Sequence, residues 1–147
     1  MSFTSLTVSL THASGPIGRV AAHNLSIFLS ALRLEGVHAS GSAALRGRPT
    51  TEFTSTPRQL EELCLAAEAA GFEDRLPAVE AVEDTSDHWA WVLLHVSDDR
   101  CSRTLELNLL SSGFRGPDAP ALRLFFDVLL SMAGVTDDSI RHDLTER

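Results

Sequence analysis

The sequence predicts an α+β fold: a mainly antiparallel sheet of four to six strands with two or three helices packed on one face. Three observations lead there. Leu6, Val8 and Leu10, and again Leu105, Leu107 and Leu109, alternate with hydroxyl-bearing or polar residues, which is the period of strands with one wet face. Several segments carry apolar residues at helical spacing and need an apolar surface to cover. Residues 88–96 are apolar on both alternating faces, as in a central strand covered on two sides or one that meets a partner. A two-layer sandwich satisfies all three.

In chain order, the first strand is Ser5 to Thr11, followed by a loop at Ser14-Gly15-Pro16. Ala21, Leu25, Phe28, Leu29 and Leu32 then place one stripe along a helix ending near Gly36, although Leu25 to Leu29 also fits a buried strand. From Val37 to Ser55 the Gly, Ser, Thr and Arg content predicts a hairpin turning near Gly47 or Ser40-Gly41. The best-marked helix comes next. Thr56 caps it, Pro57 suits its first position, Gln59 closes a capping box, and Gly71 supplies a left-handed terminus with Phe72 folding back. Leu60, Leu63, Cys64 and Ala67 form its buried stripe, which makes Cys64 a core thiol. An acidic connector over 73–87 leads into the strand at His88, and Ser97-Asp98-Asp99-Arg100 turns the chain into a strand from Ser102 to Leu110. The last predicted helix starts after Gly116-Pro117, with Asp118 as its cap and Leu122, Phe125, Phe126, Leu129, Leu130 and Ala133 facing inward. A polar tail from about residue 136 is expected to fray. Residues 6–37 and 105–135 also echo one another as strand, Ser-Gly loop, amphipathic helix and Gly-Val, which is compatible with internal duplication or with chance convergence.

A chain of 147 residues fits one domain over 1–147 and folds without staples, since a domain of this length buries roughly two-thirds of its unfolded surface. The net charge of −8 gives an average field that repels phosphate backbones, and no basic cluster interleaved with aromatics reverses it locally, so nucleic acid is not an expected partner. Cys64 and Cys101 are too few for a disulfide framework. The N-terminus lacks the pattern of a signal peptide, and no apolar run approaches the ~20 residues that span a bilayer. The expectation is a cytoplasmic protein with no membrane association.

Chemistry-bearing patterns are sparse. His12, His23, His38, His88, His95 and His142 form no ligand spacing, and Asp84, Asp87 and His88 come nearest to a metal cluster, in a loop where solvated Asp and His are common. No metal or cofactor is expected. G-x-S-x-G is absent, and Ser14-Gly15-Pro16-Ile17-Gly18 could present backbone N–H groups to an anion but lacks the Gly-Lys-Ser/Thr of a Walker loop. Trp89 and Trp91, with His95 on the same face, form either an aromatic ledge or, as is commoner, part of the core. The chain does not read as an enzyme.

The order of features from residue 37 to about 133 resembles the emfourin family, small acidic inhibitors of thermolysin-like metalloproteases. It runs from a hairpin near His38-Ala39-Ser40-Gly41, through a helix closing into Ala70-Gly71-Phe72 and Leu76-Pro77, to an acidic loop entering Asp87-His88-Trp89-Ala90-Trp91. A further hairpin and a Pro120-Ala121-Leu122 helix follow. The resemblance implies a non-catalytic protein that inhibits or escorts a protein partner. The alternative is a small-molecule or anion-binding module with a pocket between sheet and helices, near Ser14-Gly15 or Ser112-Gly113. For a protein partner, the expected contact residues are Ser40, Gly41, Arg46 and Arg48: in a strand the two arginines project to one side, and the glycines of an exposed edge allow close backbone approach.

Overall fold

The structure is a computed structural model that describes residues 3–16, 22–31, 39–82, 88–109 and 113–146. Its elements are β1 (Leu6–Pro16), β2 (Ala22–Ala31), β3 (Ser40–Leu45), β4 (Thr51–Thr54), α1 (Pro57–Ala70), β5 (Glu80–Ala81), β6 (His88–Ser97), β7 (Ser102–Leu109), β8 (Phe114–Arg115), α2 (Ala119–Met132) and α3 (Asp138–Thr145). Six strands form one antiparallel sheet in the order β4-β3-β2-β1-β6-β7, and β5 pairs with β8 in a second, small one. The fold is α+β.

Period-2 alternation decides which sheet face is buried. Leu6, Val8 and Leu10 of β1, Leu25, Ile27 and Leu29 of β2, and Ala90, Val92, Leu94 and Val96 of β6 join Leu60, Leu63, Phe125, Phe126, Leu129, Ile140 and Leu144 of the helices in one hydrophobic cluster. The opposite face carries the hydroxyls. Thr54, Ser40, Ser30, Thr7, Ser97 and Ser102 are register partners across all six strands, one cross-strand row on the wet side. Trp89 and Trp91 sit half-buried on that side, alternating with the fully buried Ala90 and Val92, so they are not core residues. His95 is there too, bridging Thr104 Oγ1 at 2.8 Å and Ser102 Oγ at 3.0 Å.

The helix expected over 21–32 is instead β2 through Ala31. Leu25, Ile27, Leu29 and Ala31 alternate with Ser26, Phe28 and Ser30, and the period of two wins because β1 and β3 both pair with this segment. Phe28, taken as part of the helical stripe, is 49% exposed on the wet face. The strand-helix echo is therefore not a repeated structure: Phe28 lies in a strand and its sequence counterpart Phe126 is buried in α2. Leu32, Gly36 and Val37 lie outside the described residues, as does Ser112.

Helix α1 follows its sequence signals. Thr56 Oγ1 accepts from the Gln59 backbone N–H at 3.1 Å, Gln59 Oε1 accepts from the Thr56 N–H at 2.9 Å, and Gly71 ends the helix at φ 98°. Asp118 precedes α2 but does not cap it with its side chain. Its carboxylate instead accepts from Arg75 Nη1 at 2.5 Å and from the Ala78 backbone N–H at 2.6 Å, tying the connector after α1 to the start of α2.

The tail expected to fray forms α3. Asp137 caps it by accepting from the Ser139 and Ile140 N–H groups, and Ile140, Asp143 and Leu144 recur at i, i+3 and i+4 on its buried side.

Candidate functional site

A polar cleft of about 270 Å³ opens where one end of the sheet meets the start of α3, lined by Ser14, Asn24, Leu45, Arg46, Arg48, Asp137, Ser139 and Ile140. Four separate parts of the chain build it, and one irregularity in the sheet positions its floor. Between the register pairs His12↔Leu25 and Ala13↔His23, Asn24 has no partner on β1. This bulge gives β2 one extra residue, and such bulges re-aim side chains at the rims of sheets.

The consequence is a polar chain beneath the cleft. Asn24 Nδ2 donates to Ser14 Oγ and lies 3.4 Å from His12 Nδ1, while His12 Nε2 is 2.8 Å from Asp143 Oδ2 of α3. His12 is fully buried and Asp143 is 5% exposed, so this contact anchors α3 to β1 from inside the core. The carbonyl of Asn24 also accepts the Arg46 backbone N–H at 2.9 Å, locking the turn after β3 against the bulge.

The chain of groups is not a nucleophile with its base. Ser14 Oγ accepts from the Asn24 amide nitrogen, which cannot take the hydroxyl proton, and Asn24 stands between that hydroxyl and the His12 imidazole. What the arrangement does is fix Asn24 and Ser14 as a rigid polar floor.

The walls carry charge. Arg46 and Arg48 flank Gly47 in the turn between β3 and β4, where Gly47 takes φ 74°, and both are exposed. They are not on a strand as the sequence suggested; the turn, rather than strand alternation, brings both to the cleft. Among the described residues neither guanidinium makes an ion pair or side-chain hydrogen bond. Across from them, Asp137 is held below the ordinary carboxylate range by hydrogen bonds from the Ser139 hydroxyl and the Ile140 and Ser139 backbone N–H groups, with the charge of Arg48 adding to the effect. Its Oδ1 caps α3.

Of the four contact residues expected from the sequence, the structure brings Arg46 and Arg48 together and separates Ser40 and Gly41 from them at the far end of β3. Nor is β3 an exposed edge: β2 and β4 pair with it on both sides. Gly41 has a packing role, since a Cβ there would stand 2.5 Å from the Phe28 carbonyl oxygen and 2.5 Å from the Phe53 ring. Asp84 and Asp87 of the nearest thing to a metal cluster lie outside the described residues. Sequence reasoning missed Asn24, Asp137, Ser139 and the His12–Asp143 contact. For His12 a signal existed: position 12 continues the core-facing series 6, 8, 10. For Asn24 there was none, because a bulge is set by pairing between strands.

No protein-family model matches the chain, and comparisons with curated proteins and with solved structures find no match to either.

Proposed function

We propose that this protein is a non-catalytic binding module that engages a protein partner through the Arg46–Arg48 end of the molecule. The observation that carries the reading is the pair of exposed guanidinium groups beside a polar cleft, in no ion pair among the described residues, on a chain of net charge −8. A surface that repels anions on average and concentrates two exposed cations at one point discriminates in favour of an acidic group presented at that point. Arginine suits the task because its planar fork binds carboxylates with two parallel hydrogen bonds. The resemblance to the emfourins supports the inhibitor form of this reading, in which the partner is a thermolysin-like metalloprotease.

The test is inhibition of such a protease by the purified protein, together with capture of partners on immobilised protein. Wild-type protein should bind stoichiometrically, and Arg46→Ala/Arg48→Ala should weaken binding while the melting temperature stays within a few degrees, since exposed substitutions usually change stability by less than about 0.5 kcal/mol. Equal partner affinity in the double variant would retire this surface.

A further inference from the structure

We infer that the cleft is also a binding site in its own right for a small oxyanion-bearing molecule, a short organic carboxylate or phosphate, independent of any protein partner. A protein surface of this acidity offers few places where an anion is welcome, and the cleft joins four properties that one needs. The first is positive charge from two exposed residues, Arg46 and Arg48, carried on one short turn around Gly47 and, among the described residues, in no ion pair. The second is concavity. At about 270 Å³ the cleft lies near the lower end of small-ligand sites, which start at roughly 300 Å³. That suits a compact ion.

The third is a rigid floor of neutral polar groups. Asn24 is placed by the bulge and held by Ser14 and His12, and Ser139, whose hydroxyl donates to Asp137 Oδ1, also lines the cleft. Such groups are already ordered, so a ligand meets fixed dipoles and little ordering entropy is lost on binding. The fourth is a small apolar contact from Leu45 and Ile140, which would face the short carbon body of an organic acid. Among the described residues, Asp137 is the one opposing charge in the lining. Its Oδ1 caps α3 by accepting from Ser139 and Ile140, and among the described residues it forms no ion pair with either arginine, so an anion meets two cations against one carboxylate.

The two arginines, set against the Asp137 carboxylate, set selectivity. A monoanion with a compact body, or a dianion able to meet both guanidinium groups, is favoured, whereas a cation would meet two like charges. Succinate and inorganic phosphate separate the two sources of the oxyanion: succinate tests the contribution of the apolar wall, and phosphate tests the arginines alone.

The experiment is an amide-resolved nuclear magnetic resonance titration of the full chain with succinate, with inorganic phosphate and with ethylenediamine as the cationic control, at constant ionic strength. Succinate or phosphate should shift the amide resonances of Arg46, Gly47, Arg48 and Ser139 saturably in the millimolar range, and ethylenediamine should not. Arg46→Ala/Arg48→Ala should weaken the anion by at least about tenfold. Arg58→Ala, on the exposed surface of α1, should leave it unchanged. The spectrum of each variant reports folding directly, and Arg46→Lys/Arg48→Lys provides a second, charge-preserving variant that should bind more weakly than wild type and more tightly than the alanine pair. An absence of saturable shifts with either anion, or shifts of equal size in the alanine pair, overturns the inference. Neither result bears on the protein-partner reading, which is measured with the partner and without added anion.

Discussion

His12 shows how one side chain can join elements that are far apart in the chain. Its imidazole is fully buried and reaches Asp143, 131 positions later, at 2.8 Å. Removing it leaves a buried carboxylate without its imidazole partner, and a buried polar group deprived of a partner costs about 1–3 kcal/mol. We therefore predict that His12→Ala loses about that much stability in urea denaturation and accelerates hydrogen exchange along α3. A midpoint unchanged from wild type would show that the contact does not hold the helix. Cys64 makes a second case at this scale. Burial, reinforced by the nearby Glu68 and Glu61 charges, pushes its thiol up to about 12. Since the thiolate is the reactive form, native protein should label at Cys101, which is only partly buried, much faster than at Cys64, and both should label alike in denaturant. Fast native labelling of Cys64 would contradict its placement in the core.

Among the elements, β3 depends on one missing methyl group. Gly41 stands where a Cβ would meet the Phe28 carbonyl oxygen at 2.5 Å, and that oxygen belongs to the backbone of β2 and cannot swing aside. Gly41→Ala should cost about 1–3 kcal/mol, the usual range for forcing extra volume into a packed site. Equilibrium unfolding that leaves the variant as stable as wild type would rule out the close approach. Elements also differ in how openly the chain announces them. Helix α1 was readable because Thr56, Pro57, Gln59 and Gly71 act locally, each on a neighbour within one or two turns. β2 was not, since Leu25, Phe28 and Leu29 fit a helix as well as a strand, and pairing with β1 and β3 settled the matter. Helix α3 lies between these cases: Asp137 and the Ile140–Leu144 spacing were present, but eight residues cannot sustain a helix without the core to pack on.

For the whole molecule, depressed carboxylates link stability to pH, and among the described residues these are Asp98, Asp118 and Asp137. Asp118 is held below the ordinary range by hydrogen bonds from Arg75 and from the Ala78 backbone, and Asp137 by those from Ser139 and Ile140. A carboxyl group whose folded value is depressed contributes stability that is fully present above the unfolded value of about 3.9 and is lost as pH falls through the lower folded value. Urea midpoints should therefore hold steady near neutrality and fall in the acid range below about pH 4. Asp118→Asn removes one of these three titrating groups and should make that fall shallower; an acid profile as steep as that of wild type would remove Asp118 from the account.

The chain by itself determined the class of the fold and the position of most core residues, because alternation and helical spacing act over a few residues and hydrophobic burial follows them. It also singled out Arg46 and Arg48, since two arginines around a glycine are visible in any reading of the segment. Only tertiary structure decided what surrounds them. The bulge at Asn24 arises from pairing between β1 and β2, the buried His12–Asp143 contact spans most of the chain, and α3 becomes a cleft wall only once it is docked. Each of these depends on free energy gained between residues distant in sequence, and no local pattern encodes such a gain.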